Sequence, residues 1–144
     1  MIYLEQVLKE TSRLYPPAPI IGRENKESIQ IGTHIIPPKS HIAILIYMLH
    51  KAPDVFPNPE KFDPDRFSAE NMATRDRYSF IPFSLGPRIC IGHLNAMMQM
   101  KIILCHIMRN FKVVSMDPLD KMNVMMTATL RCLNPIRLKI TLRE

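Results

Sequence analysis

The richest chemistry in this sequence is a lone cysteine set between two glycines and behind an arginine, just ahead of a long apolar stretch. The run Phe80-Ile81-Pro82-Phe83-Ser84-Leu85-Gly86-Pro87-Arg88-Ile89-Cys90-Ile91-Gly92 delivers Cys90 to the start of a segment, Gly92 to Phe111, whose pattern is helical. A sulfur there faces unpaired backbone N–H groups and the positive end of the helix dipole. Both favour the thiolate, the form that binds metal. Arg88 adds positive charge just before it. Gly86 and Gly92 permit a left-handed backbone or close approach by another group, and Pro87 stiffens the loop between them. The main chain can then lie flat against a large ligand. A buried structural thiol is the bland alternative for any single cysteine.

Several elements must hold that loop. From Ile2 to Leu14 the apolar positions Leu4, Val7, Leu8 and Leu14 follow helical spacing until Pro16-Pro17 stops it. Residues 29–36 alternate around Gly32, and the apolar run from Ile42 to Leu49 follows Pro37-Pro38-Lys39-Ser40, which predicts two short strands and a turn. From Ala52 to Phe67 the prolines predict an ordered loop with one helical turn near Asp54, and Ser68 to Tyr78 reads as polar surface. Gly92 to Phe111 is apolar around most of its circumference, so a buried helix of about 30 Å is expected. Ile136 to Leu142 alternates and predicts a half-buried strand.

Composition narrows the classes. With 144 residues, 47% hydrophobic and 22% charged, the chain supports one domain with a modest core. Its 13 prolines against 4 glycines predict extended segments and turns over much of the length. The formal charge of +6 is spread singly along the chain with no basic run or aromatic-basic interleaving, which argues against nucleic acid and leaves an acidic partner open. The 3 cysteines lack C-x-x-C spacing, so neither a disulfide framework nor a zinc site is indicated and a reducing compartment fits. None of the 5 histidines sits in a ligand motif, and all read as structural or surface residues. There is no G-x-S-x-G elbow, secretory signal or run of eighteen apolar residues.

Phe83, Gly86, Arg88, Cys90 and Gly92 together fit F-x-x-G-x-R-x-C-x-G, a pattern that resembles the haem-binding loop of the cytochrome P450 family. Five fixed positions coincide by chance roughly once in a million starting points. The likeness runs from Glu10 to the last strand, through Leu14-Tyr15-Pro16-Pro17, Ile46-Tyr47-Met48-Leu49-His50 and Arg109-Asn110-Phe111-Lys112-Val113. It resembles the C-terminal third of a eukaryotic microsomal member, in wording closest to the family 4 branch that contains fatty-acid omega-hydroxylases. The departures are Asp65 where Glu is more usual, Leu85 and Ile89 within the loop, and His93-Leu94-Asn95 at the helix start.

The resemblance implies a fold that is mainly α with small β-sheets, residues 1–144 being the C-terminal haem-binding portion of a cytochrome P450 domain. It implies haem b (iron protoporphyrin IX), with Cys90 as the axial ligand to iron. Arg88 and Arg23 pair with the haem propionates, and Phe83, Gly86 and Gly92 shape the cradle. Glu10 and Arg13, an acid-x-x-Arg pair on one helix face, form a structural triad with Arg66 of Pro64-Asp65-Arg66-Phe67. Ala18 to Ile21, in particular Ile20 and Ile21, reach the substrate together with Met125 and Met126; core packing is the simpler account of these residues. The resemblance further implies monooxygenation of a small lipophilic substrate, a fatty acid or xenobiotic. Electrons come from NADPH-cytochrome P450 reductase, with cytochrome b5 as a further partner.

By the same resemblance the protein works at the cytoplasmic face of the endoplasmic reticulum membrane, associating through an N-terminal anchor. Neither that anchor nor the family's oxygen-handling A-G-x-D-T helix occurs in these residues. Two readings follow: an incomplete piece of a haem-thiolate monooxygenase, or a short non-catalytic product that acts as an interaction protein.

Overall fold

The computed structural model describes residues 1–144, Asp120 through its backbone alone. Helix α1 (Ile2–Leu14) ends where Pro16-Pro17 demands, its last turn closed by a Tyr15 N–H to Thr11 carbonyl bond of 2.8 Å. Strand β1 (Ile20–Glu24) follows. The single strand expected over 29–36 is instead a hairpin of β2 (Ile29–Ile31) and β3 (His34–Ile36), because the chain reverses at Gly32, whose φ of +58° suits glycine. Strand β4 (His41–Leu45) then returns antiparallel to β1, with Arg23 opposite Ile42.

The strand expected over 42–49 stops at Leu45, and Ile46–Leu49 form a single helical turn, α2. The register explains this correction. Ile20 pairs with Leu45, and the residue before Ile20 is Pro19, which has no N–H with which to extend the ladder. Instead the Pro19 carbonyl accepts from the Tyr47 N–H at 3.1 Å, and Ile46 turns into the core. Beyond it, the turn expected near Asp54 is closed by the Phe56 N–H on the Ala52 carbonyl at 2.9 Å. A 3₁₀ turn covers Pro64–Phe67, and α3 (Ala69–Thr74), capped by the Ser68 hydroxyl, crosses the stretch read as polar surface.

Helix α4 (His93–Asn110) leads into β5 (Phe111–Ser115), which pairs antiparallel with β8 (Leu138–Leu142). Between them β6 (Val124–Met126) and β7 (Leu130–Cys132) form a last hairpin, so helices combine with four two-stranded sheets. Two expectations of burial are corrected here. Helix α4 has no buried residue: Leu94 is 74% and Ile102 60% exposed. It meets α1 along one stripe, where Lys101 pairs with Glu5 at 2.6 Å, and no described element lies over the rest of its apolar surface. Every residue of β8 is exposed as well, paired along one edge with β5 alone. Among the described residues no helix is long and apolar enough to cross a membrane.

The core lies instead where α1, α2 and the Pro64–Phe67 turn meet. Leu8, Leu14, Ile46, Phe56 and Phe67 are buried there together with Glu10, Arg13 and His50, each of these three 0% exposed. Arg13 grips Glu10 in a fork, Nε to Oε2 at 2.7 Å and Nη2 to Oε1 at 2.8 Å. Its remaining donors reach the carbonyls of His50 at 3.1 Å and Lys61 at 3.3 Å. Glu10 Oε1 also accepts the Asp63 N–H at 2.8 Å, and Arg66 Nε stands 3.6 Å away. Arg66 is held by Nη2 donating to the carbonyls of Pro57 and Asn58.

Removing one partner of a buried pair strands the other's charge, at a cost of about 3–5 kcal/mol. Glu10→Ala is expected to lower unfolding free energy by about that much in urea titrations. Arg13→Lys should recover little of it, because one ammonium cannot serve acceptors lying in the plane of a guanidinium fork. A second dependence comes from His50, whose burial lowers its pKa from 6.5 to about 4. The unfolded imidazole takes up its proton at the higher value, so the neutral ring's contribution is complete above about 6.5 and is lost as pH falls toward 4. The urea midpoint should fall across that window, with a maximum contribution on the order of 3 kcal/mol, and a His50→Gln chain should lack that part of the slope.

Candidate functional site

The cysteine loop is built from its base upward. The Ile81 N–H donates to His50 Nε2 at 3.0 Å, and the Ile81 carbonyl accepts the Ser84 N–H at 3.0 Å, closing a turn through Pro82 and Phe83. Ser84 takes a left-handed backbone at φ +64°, uncommon for a residue with a side chain, and its hydroxyl accepts from Arg23 Nη2 at 2.7 Å. A 3₁₀ turn over Gly86–Arg88 follows. The chain then folds back so that the Cys90 N–H donates to the Phe83 carbonyl at 2.8 Å. The loop is a closed ring of backbone hydrogen bonds, with Phe83 and Cys90 side by side across its neck.

Cys90 stands just ahead of α4, two residues before its cap. Gly92 is the cap residue, and the Cys90 carbonyl accepts from the His93 N–H at 3.2 Å and approaches His93 Nδ1 at 2.9 Å. The two glycines also divide their roles. Gly86 has φ +72°, whereas Gly92 has φ −87° and serves as the cap; a Cβ there would meet Cys90 Sγ at 3.9 Å, an ordinary contact.

Cys90 opens onto a cleft of about 410 Å³ whose walls include Phe83, Ala18, Ile21 and Met100, with Arg88 at its edge. Arg88 also borders an adjoining opening of about 690 Å³, shared with Arg23, Lys26 and His41. An apolar cleft with one thiol, flanked by a cationic opening, suits a flat apolar group bearing carboxylates at one edge. Arg23 spends two N–H donors on Gly22 and Ser84. A guanidinium has five, so donors remain for an anion. Phe83 packs toward the start of α4, its ring 6.2 Å from that of His93. Among the described residues no group of three His, Cys, Asp or Glu side chains could hold a bare metal ion.

Of the residues expected to meet substrate, Ile21 lines the cleft, while Ile20 and Met126, each 41% exposed, do not. Strand alternation sends Ile20 to the opposite face of β1 from Ile21. Met126 lies on the β6–β7 hairpin, which approaches Pro17 through a 3.0 Å bond from the Leu130 N–H. Two supporting residues have roles that the sequence does not specify. His50, expected only to be structural or on the surface, is buried and accepts the Ile81 N–H. Arg75 lies over the rings of Phe56 at 4.6 Å and Phe67 at 5.2 Å and donates to the Arg66 carbonyl at 2.7 Å. Neither sits in a recognisable spacing; the arginine was hidden in a polar stretch whose packing only the fold reveals.

With this geometry in hand, comparison with known proteins is direct. A family model described as Cytochrome P450 matches residues 1–141. Cytochrome P450 4g1 of Drosophila melanogaster is 48% identical over 119 residues, which is 81% of this chain and 21% of that protein. Cytochrome P450 4c3 of the same organism is 38% identical over 144 residues, covering 100% of this chain and 27% of its own length. Human Cytochrome P450 4V2 is 39% identical over 142 residues, 99% of this chain and 27% of that protein. Among solved structures, the retinoic acid bound cyanobacterial CYP120A1 superposes with a TM-score of 0.88 at 31% identity, over 98% of this chain and 32% of that one. The chain thus spans between a fifth and a third of the proteins it matches.

The two motif glycines should respond differently to a methyl group. Gly86→Ala meets no atom within 4 Å but forces a left-handed backbone on alanine, an expected loss of about 1–2 kcal/mol. Gly92→Ala, with its ordinary φ and contact, should stay within about 0.5 kcal/mol of the parent. Urea unfolding of the two variants side by side checks the ordering.

Proposed function

This chain belongs to the cytochrome P450 family, in its family 4 type, and we propose that it is the haem-holding C-terminal portion of a monooxygenase domain acting on lipophilic substrates. The observation that carries this reading is the placement of Cys90 on an apolar cleft whose edge bears Arg88, next to an opening where Arg88 and Arg23 come together. Haem b bound there would supply the oxygen chemistry. The chain's own residues bind and orient. Cys90 presents its sulfur to iron, and the Phe83 carbonyl fixes the Cys90 main chain. The left-handed turn at Gly86 carries the loop past the cleft. Arg88 and Arg23 offer forked donors to the propionates, and Glu10, Arg13 and Arg66 hold the base on which the loop stands.

Substrate contact falls to Ile21, with Ile20 and Met126 reaching the substrate only from a neighbouring region, since neither lines the cysteine cleft. Fatty acids or xenobiotics are the proposed substrate class, in keeping with the apolar walls. The proposed electron donor is NADPH-cytochrome P450 reductase, assisted by cytochrome b5, and the proposed site of action is the cytoplasmic face of the endoplasmic reticulum membrane. The charge of +6 favours an acidic partner of this kind.

Reduced, haem-loaded protein under carbon monoxide should show the long-wavelength Soret band of a thiolate-ligated iron. Cys90→Ser should bind haem yet lose that band. Arg88→Ala and Arg23→Ala should each weaken haem binding roughly 10- to 100-fold, the worth of one charge-assisted hydrogen bond. A folded, haem-loaded chain without the shifted band contradicts the assignment of Cys90.

A further inference from the structure

We propose that His50 is a positioning residue for Cys90, a two-sided polar bridge between the end of α1 and the Ile81–Ser84 turn at the base of the cysteine loop. The proposal rests on the haem reading above only for its consequence at iron.

The ring is 0% exposed and lies against Phe80, with centroids 4.9 Å apart. Its Nε2 accepts the Ile81 N–H, so the proton of the neutral ring resides on Nδ1. Nδ1 is buried and completes no hydrogen bond. On the main-chain side, the His50 carbonyl takes the 3.1 Å bond from Arg13 Nη1. One residue therefore meets the buried ion pair through its backbone and the cysteine loop through its side chain.

What it holds is short and stiff. From the Ile81 N–H to the Phe83 carbonyl there is only Pro82, whose ring fixes φ. The Phe83 carbonyl then takes the Cys90 N–H at 2.8 Å. A shift at Ile81 reaches Cys90 with little slack. The other side-chain support of this turn, Arg23 on Ser84, is only partly buried. His50 is the support that water cannot replace.

The bridge works in one protonation state. A charged ring would turn Nε2 into a donor facing another donor. Burial holds the ring neutral, and the charged group set against it is Arg13 of α1, whose own charge is met by Glu10; the Phe80-Ile81 side presents no charge. An apolar side chain of similar volume would fill the space and leave the Ile81 N–H buried without an acceptor.

His50→Gln and His50→Asn separate this role from simple packing. Gln carries its amide oxygen far enough to stand in for Nε2, while Asn stops near the Nδ1 position. Amide hydrogen exchange of the full chain without haem is the first readout. Protection at Ile81 and Cys90 should fall at least tenfold in the Asn variant and stay within threefold of the parent in Gln. Loaded with haem, the Asn variant should lose the thiolate-type carbon monoxide spectrum at least tenfold faster than the parent, with Gln restoring most of the difference. Equal behaviour of Asn and Gln, or unchanged protection at Cys90 in Asn, overturns the proposal. Nitrogen-15 spectra of the unsubstituted chain give a check that needs no variant: an unprotonated Nε2 with the proton on Nδ1 is expected, and the opposite tautomer refutes the bridge. A chain that binds no haem would fail the function proposed above while leaving the exchange and tautomer results to decide this one.

Discussion

Glu10 carries a carboxylate to a place water does not reach, and the folded chain is arranged around satisfying it. Arg13 occupies both oxygens, the Asp63 N–H adds a third bond and Arg66 approaches from the Pro64–Phe67 turn. Such a pair recovers in attraction roughly what it loses in desolvation, so its net contribution to stability is modest even though breaking it is costly. Its value lies in orientation. A planar fork facing a planar carboxylate fixes angle as well as distance, and the spare N–H groups of Arg13 pull in the carbonyls of His50 and Lys61, far along the chain. Phe56 fills the space between, with Arg13 and Arg75 each lying over its ring.

From that centre a continuous set of short contacts leads to the sulfur. The His50 ring holds Ile81, the Ile81–Ser84 turn holds Phe83, and the Phe83 carbonyl holds Cys90. Buried polar contacts are concentrated along this line. Helix α4 leaves Leu94, Met98, Ile102 and Ile103 exposed, and β8 is exposed from end to end. A site needs its reacting atom held by packed and hydrogen-bonded neighbours, and here the support comes from the α1 side of the loop and much less from the helix that follows.

The sequence reading fared best where chemistry forces residue types. The cysteine loop was legible because few arrangements need those residues at those spacings, and α1 from its helical apolar spacing; the acid-x-x-Arg pair, common on helices, took its role only from the family resemblance. Residues 29–36 read as one strand because alternation continues on both sides of Gly32, whereas the positive φ at Gly32 reverses the chain and makes them a hairpin. Ile42 to Leu49 was misread because a β-branched apolar run does not announce where its partner strand ends; Pro19, distant in sequence, decides that. Burial of α4 was misread because an apolar surface indicates a demand for partners and not their presence. The roles of His50 and Arg75 were invisible for a third reason: a buried polar side chain is defined by the backbone groups it meets, and those lie 31 residues away in one case and 9 in the other.

On the proposed reading, the polar framework would present the Cys90 sulfur to the iron of a bound haem. X-ray absorption at the iron edge of the haem-loaded protein reads this directly. A sulfur scatterer in the first coordination shell, lost in Cys90→Ser while the four haem nitrogens remain, is the predicted result. A first shell of nitrogen and oxygen alone in the unsubstituted, folded protein would contradict it.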